Sequence, residues 1–239
     1  MIFFAAIFAV ATVSGATASL VGFGIGSMLT PLLAVQFGMD RAVAAVALPH
    51  AVATAIRCWR LRESIDLEVL KRFGLLSAVG GLAGALVYTM LDADILGRVL
   101  GGLLVLTSVA QFSGVASRWH PRGATVALLG LGSGFFGGIA GNQGGLRAAA
   151  LSAFSLSPLA FVATSTATGL LVDAARTPVY VYTAGDAMLA LWVPITIATA
   201  GVVSGTLLGE RVLLGMSKER FRLVVAGAVG LLGVWLLVA

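Results

Sequence analysis

Two stretches decide how this chain folds: Gly22-Phe23-Gly24-Ile25-Gly26-Ser27-Met28-Leu29-Thr30-Pro31, and Gly137-Gly138-Ile139-Ala140-Gly141-Asn142-Gln143-Gly144-Gly145-Leu146-Arg147. Each interrupts an apolar run too long for one membrane crossing. As continuous helices the run from Ile2 to Met39 would extend about 57 Å and the run from Gly123 to Phe154 about 48 Å, against a hydrocarbon core of about 30 Å. Each run therefore reads as two helical pieces joined by a glycine-rich break.

The composition requires a bilayer as solvent. Of 239 residues, 59% are hydrophobic and 31 are glycine, whereas only 10% are charged, well below the ~25% of soluble domains. That excludes disorder and almost any water-soluble fold. The net charge of +5 comes from basic residues scattered between apolar runs, which form no basic face for a nucleic acid. Cys58 is the single cysteine, so no intrachain disulfide can form. No His, Cys or carboxylate cluster has metal-ligand spacing, and neither a metal nor another cofactor is expected. No Lys or Arg precedes the first apolar stretch, unlike a cleaved secretory leader.

Six further runs have the length of single crossings, roughly 42–59, 73–91, 95–114, 159–183, 187–208 and 221–238. Segments 57–72, 118–122 and 210–222 hold 11 of the 15 basic residues, and the positive-inside rule puts them in the cytoplasm. The acidic or nearly neutral connections at Asp92, Asp94 and Asp186 then lie outside. The turn at Ser157 must be inside for the following helix to finish outside, so the run 123–154 starts and ends on one side, as a hairpin that enters and returns. The same count puts the C-terminus outside the plasma membrane.

Shifting the sequence by 119 residues lays Ser14-Gly15 on Ser133-Gly134, Gly22 on Gly141, Gly26 on Gly145 and Arg57 on Arg176. The offset is half the chain and superposes the two breaks. The expectation is an all-α integral membrane protein, a single membrane domain over 1–239 made of two inverted repeats, 1–118 and 119–239. Each repeat is a broken helical hairpin plus three transmembrane helices, and an odd number of crossings turns the second over. Discontinuous helices in inverted repeats are the architecture of secondary transporters, with the site where the breaks meet. Irregular backbone survives in a bilayer only against protein or a polar cavity, and free N–H groups at the break suit an anion.

These paired motifs, each opening one of two similar halves, resemble the TauE/SafE sulfite-exporter family of membrane permeases. The chain departs from the commoner pattern where Ile25 interrupts a glycine triplet and Ala150 stands where a proline often falls. The resemblance implies movement of sulfur-containing or organic anions, sulfite and sulfonates among them.

The candidate substrate-binding residues are Gly22, Gly24, Gly26, Ser27, Gly141, Asn142, Gln143, Gly144, Gly145, Arg147 and Arg176. Glycines allow positive φ and close approach of backbone N–H groups to a ligand; the alternative for them is tight helix packing. Arg147 opens the returning half-helix, far from any basic loop. A guanidinium at that depth faces the interior and can hold an oxyanion by two parallel bonds, or it can hold the hairpin through loop carbonyls. Asn142 and Gln143 offer amides to an anion or to unpaired backbone, and Ser27 either donates to substrate or caps its helix. Asp173 and Arg176, three apart on one helix face, can pair locally. Asp173 and the mid-span His50 are the candidates for proton coupling, with purely structural roles as the alternative. Arg57 lies near the cytoplasmic cluster and is expected to snorkel to the surface. Gly80-x-x-x-Gly84 and Gly201-x-x-x-Gly205 read as helix packing.

The expected function is a secondary transporter of a small anion, working by alternating access, with the lipid bilayer, the anion and a coupling proton or other ion as partners. The sequence leaves the oligomeric state open. A passive anion channel is the alternative. An intramembrane enzyme is less favoured, because neither a Gly-x-Ser-x-Gly elbow nor a His-Glu-x-x-His helix is present. No P-loop appears either.

Overall fold

The computed structural model describes residues 1–114, 123–142, 144–151, 154–212 and 218–238. Gln143 and the segment with Arg118 and Arg122 lie outside the described residues. The described residues are mainly helical, without strands: α1 (Ile2–Val21), α2 (Ile25–Phe37), α3 (Met39–Arg60), α4 (Leu67–Tyr88), α5 (Ala93–Ser113), α6 (Ala124–Ala140), α7 (Gly144–Leu151), α8 (Pro158–Ala190), α9 (Trp192–Val212) and α10 (Lys218–Val238). Helices α1, α3, α4, α5 and α8 are each long and apolar enough to cross a membrane. Both overlong runs are divided, the first between Val21 and Ile25 and the second between Ala140 and Gly144.

Three turns show how local chemistry sets the ends. Asp66, Asp92 and Ser157 each accept a hydrogen bond from the backbone N–H three residues on, at Val69, Ile95 and Ala160. These bonds satisfy N–H groups that would otherwise be orphaned at a helix start. At 33 residues, α8 would be about 50 Å long if straight. Pro178 lies within it, and Ala184 leaves helical geometry at φ −129°, ψ 20°. The expected end of this span at 183 is thus a kink. The chain stays helical to Ala190 because the Leu191 N–H continues the ladder to Ala187, so the next helix starts at Trp192 rather than near 187.

The exterior is that of a protein solvated by lipid. Large apolar side chains point outward, as on α4, where Leu75, Val79, Leu82 and Leu86 are all exposed at helical spacing; lipid is their natural solvent. The interior combines large apolar side chains, among them Leu29, Leu33, Leu96, Leu100 and Leu104, with many small and polar ones. On α3, Ala42, Val43, Ala44, Ala45, Val46 and Ala47 are all fully buried.

Helix α1 packs mainly on α9, α4 on α6, and α5 on α10, while α3 and α8 pack on each other in the middle. Glycine makes the first two pairs close. A methyl group on Gly205 would strike the Thr12 carbonyl, and one on Gly84 would strike the Phe135 carbonyl. Without hydrophobic drive between helices in lipid, such backbone-to-backbone approach is what holds a pair together. Both Gly-x-x-x-Gly pairs are therefore contact surfaces.

Candidate functional site

The two breaks end their helices in the same way. Gly22 closes α1 at φ 82°, ψ 2°, its N–H bonded to the Ala18 carbonyl. Gly141 closes α6 at φ 70°, ψ 6°, its N–H bonded to the Gly137 carbonyl. This left-handed cap is a backbone state that strains any side-chain-bearing residue. The breaks also touch. A methyl group on Gly26 would collide with the Gly141 carbonyl, and one on Gly144 with the Phe23 ring. Across this contact the Ser27 hydroxyl donates to Asn142 Oδ1 at 3.2 Å. Ser27 does not cap α2, whose N-cap is Gly24.

Two arginines tie the breaks to the central helices. Arg147, on α7, is 2% exposed; its Nε donates to Ser165 Oγ on α8 and its Nη2 to the Gly22 carbonyl, both at 2.9 Å. Arg176, on α8, donates from Nη1 to the Gly137 carbonyl at 2.6 Å. One turn further along, the Tyr180 hydroxyl donates to the Gly138 carbonyl. Carbonyls at a helix C-terminus carry partial negative charge, so cations belong there. Arg147 thus holds the first break, and its Nη1 is buried without a hydrogen-bond partner.

Asp173 organises the opposite side. Its Oδ1 accepts from Arg176 Nε at 3.1 Å and Nη2 at 2.9 Å, and its Oδ2 lies 2.6 Å from His50 Nδ1. The i,i+3 pairing expected for Asp173 and Arg176 is present, and His50 on α3 joins it. The structure therefore brings Gly22, Gly26, Ser27, Gly141, Asn142, Gly144, Arg147, Asp173, Arg176 and His50 into one buried region. Gly24, at φ 135°, packs on Thr17 of α1. Gly145 lies in the first turn of α7.

The expectation for Arg57 fails. It does not snorkel; it is only 4% exposed, and its Nη2 donates to Thr54 Oγ1 at 3.3 Å. The reason is its face, not its depth. His50, Thr54 and Arg57 follow at spacings of four and three, one stripe of α3 turned toward α8, while the neighbouring Trp59 is 71% exposed. That spacing was the available signal. Ser165 and Tyr180 gave none, because a hydroxyl in an apolar span is ordinary until its partner is known. Among the described residues no three His, Cys, Asp or Glu side chains converge as a metal site would require.

A family model described as Sulfite exporter TauE/SafE matches residues 7–236. The chain belongs to the TauE/SafE family. No curated protein sequence and no solved structure matches it. As a TauE/SafE protein it is a multi-pass membrane transport protein, in keeping with its apolar helices and lipid-facing exterior. The match spans both glycine breaks, so the buried region where they abut lies wholly within the family's own sequence.

Proposed function

We propose that this TauE/SafE protein is a secondary transporter that moves a small sulfur-containing or organic anion, such as sulfite or a sulfonate, across the plasma membrane by alternating access. The observation that carries this reading is the contact of two helix breaks at Gly26 and Gly141 with Arg147 and Arg176 buried beside them. Guanidinium groups and broken helix ends are the donors that an oxyanion needs once it has left water.

Alternating access requires two halves that can rock against each other. The 119-residue offset supports such halves. It lays α1 on α6, α3 on α8, α4 on α9 and α5 on α10, and it turns the α1–α9 pair into the α6–α4 pair. A two-fold related pair of repeats, inverted in the membrane, has this pattern. The basic segments are cytoplasmic and the C-terminus is outside. His50 and Asp173, hydrogen-bonded at 2.6 Å, carry the coupling proton, with Arg176, Arg147 and Arg57 the other charged groups around them.

An enzymatic reading is disfavoured by His50 itself. Asp173 and Thr54 both face its Nδ1, whereas a relay for nucleophilic catalysis needs acid and nucleophile on opposite ring nitrogens. The test is a thermal-shift screen of detergent-purified protein against sulfite, thiosulfate, sulfonates and carboxylates. A ligand at a hundred times its Kd stabilises the native state by about 2.7 kcal/mol. A rise in Tm with a sulfur oxyanion is expected; a screen in which none shifts the folded protein would contradict the proposal.

A further inference from the structure

Resting on that transport reading, we infer that the anion is held between Arg57 and Arg147, at a subsite built by Thr54 and Gly169, and that the subsite takes a divalent oxyanion in preference to a monovalent one. The two arginines of the central helices stand in different surroundings. Arg176 has Asp173 three residues before it, and that carboxylate receives two of its N–H groups. Arg57 has Thr54 three residues before it, a neutral hydroxyl at 3.3 Å. Thr54 and Asp173 are 119 residues apart, as are Arg57 and Arg176. The same spacing thus neutralises one arginine and leaves the other with its charge.

Arg57 is left with more than its charge. Its Nε and Nη1 are buried without a hydrogen-bond partner, as are Arg147 Nη1 and Asn142 Nδ2. Orphaned charged donors at such burial are costly unless something else receives them. Gly169 brings Arg147 to the same place: a methyl group there would lie 2.9 Å from Arg147 Nη1 and 3.6 Å from the Thr54 methyl. Thr54 thus bonds the Arg57 guanidinium through its hydroxyl, and its methyl and the Arg147 guanidinium both border Gly169. Among the described residues the buried charged side chains are Arg57, Arg147, Arg176 and Asp173. Asp173 pairs with Arg176, which leaves two guanidinium charges in excess, those of Arg57 and Arg147. A dianion balances them; a monoanion leaves one unpaired in a low-dielectric interior. The groups are packed closely here, so entry of the anion requires the halves to part, which alternating access supplies.

The test is isothermal titration of the purified full chain with sulfate, thiosulfate and methanesulfonate. Sulfate and methanesulfonate differ little in size but by one charge. The wild type should bind sulfate and thiosulfate on the order of tenfold to a hundredfold more tightly than methanesulfonate, the range attached to one charge-assisted hydrogen bond. Thr54→Asp supplies the missing carboxylate and should abolish that preference. Should Thr54→Asp not fold, Arg57→Gln tests the same point by removing one of the two charges. Equal or tighter binding of methanesulfonate by the wild type, or an unchanged preference in both Thr54→Asp and Arg57→Gln, would overturn the subsite and leave anion transport standing. Failure of every anion to bind the folded wild type would overturn both.

Discussion

Arg147 Nη2 donates to the Gly22 carbonyl at 2.9 Å, so a side chain of the second half closes the helix end of the first. The same guanidinium keeps its Nη1 without a partner. A single residue therefore joins the scaffold to the proposed chemistry, and substitution there must move two readouts.

Arg147→Gln should lower Tm without any anion present, because a buried carbonyl and the Ser165 hydroxyl lose their donors at a cost of about 1–3 kcal/mol. It should also abolish the Tm rise that sulfite gives the wild type. Differential scanning fluorimetry reads both effects. A variant that unfolds earlier yet keeps the full anion-induced shift would make Arg147 structural alone.

Asp173→Asn tests coupling. Removing the carboxylate leaves Arg176 buried without its counter-charge, which costs about 3–5 kcal/mol when a buried pair is broken. The amide keeps the shape and limits the loss. In proteoliposomes this variant should still exchange labelled for unlabelled anion but should no longer accumulate anion in response to a pH gradient. Accumulation at the wild-type level would remove Asp173 from the coupling path.

The glycine contacts make a cleaner stability prediction. Gly134→Val places carbons where the Ser77 carbonyl already lies, between α4 and α6. It should destabilise by at least the ~1–3 kcal/mol typical of overpacking. Gly132→Ala, two residues away with open space around it, should be neutral or stabilising by up to about 1 kcal/mol, since alanine is the better helix former. Tm measurements of the two in detergent give the comparison, and equal effects would contradict the close packing of these helices.

Orientation is tested by single cysteines in a Cys58→Ala background. A cysteine at Ser157 should be shielded from a membrane-impermeant maleimide added to intact cells. One at the C-terminal Ala239 should react. Labelling at Ser157 would contradict the inverted halves.

The all-helical fold was legible because apolar run lengths and charge placement record a bilayer directly. Gly22 and Gly141 take the left-handed caps that end α1 and α6, a backbone state that glycine adopts without strain. What could not be read was which face each interior polar residue turns. Arg57 looked like a surface anchor from its distance to the basic loop, yet the rotation of α3 buries it beside Thr54. Likewise, Ser27 pairs with Asn142 across 115 positions, a contact that exists only because the breaks abut. Helix ends are local properties of the chain, whereas partners across the site depend on how the halves dock.

Anion carried through the site where the breaks meet should move against its gradient, and net flux reads that out. Purified protein in sealed vesicles, given an inward proton gradient and radiolabelled sulfite, should accumulate the label above equal distribution, and Arg147→Gln vesicles should not. Label that only equilibrates across the wild-type membrane, or that the wild type and Arg147→Gln accumulate alike, would contradict it.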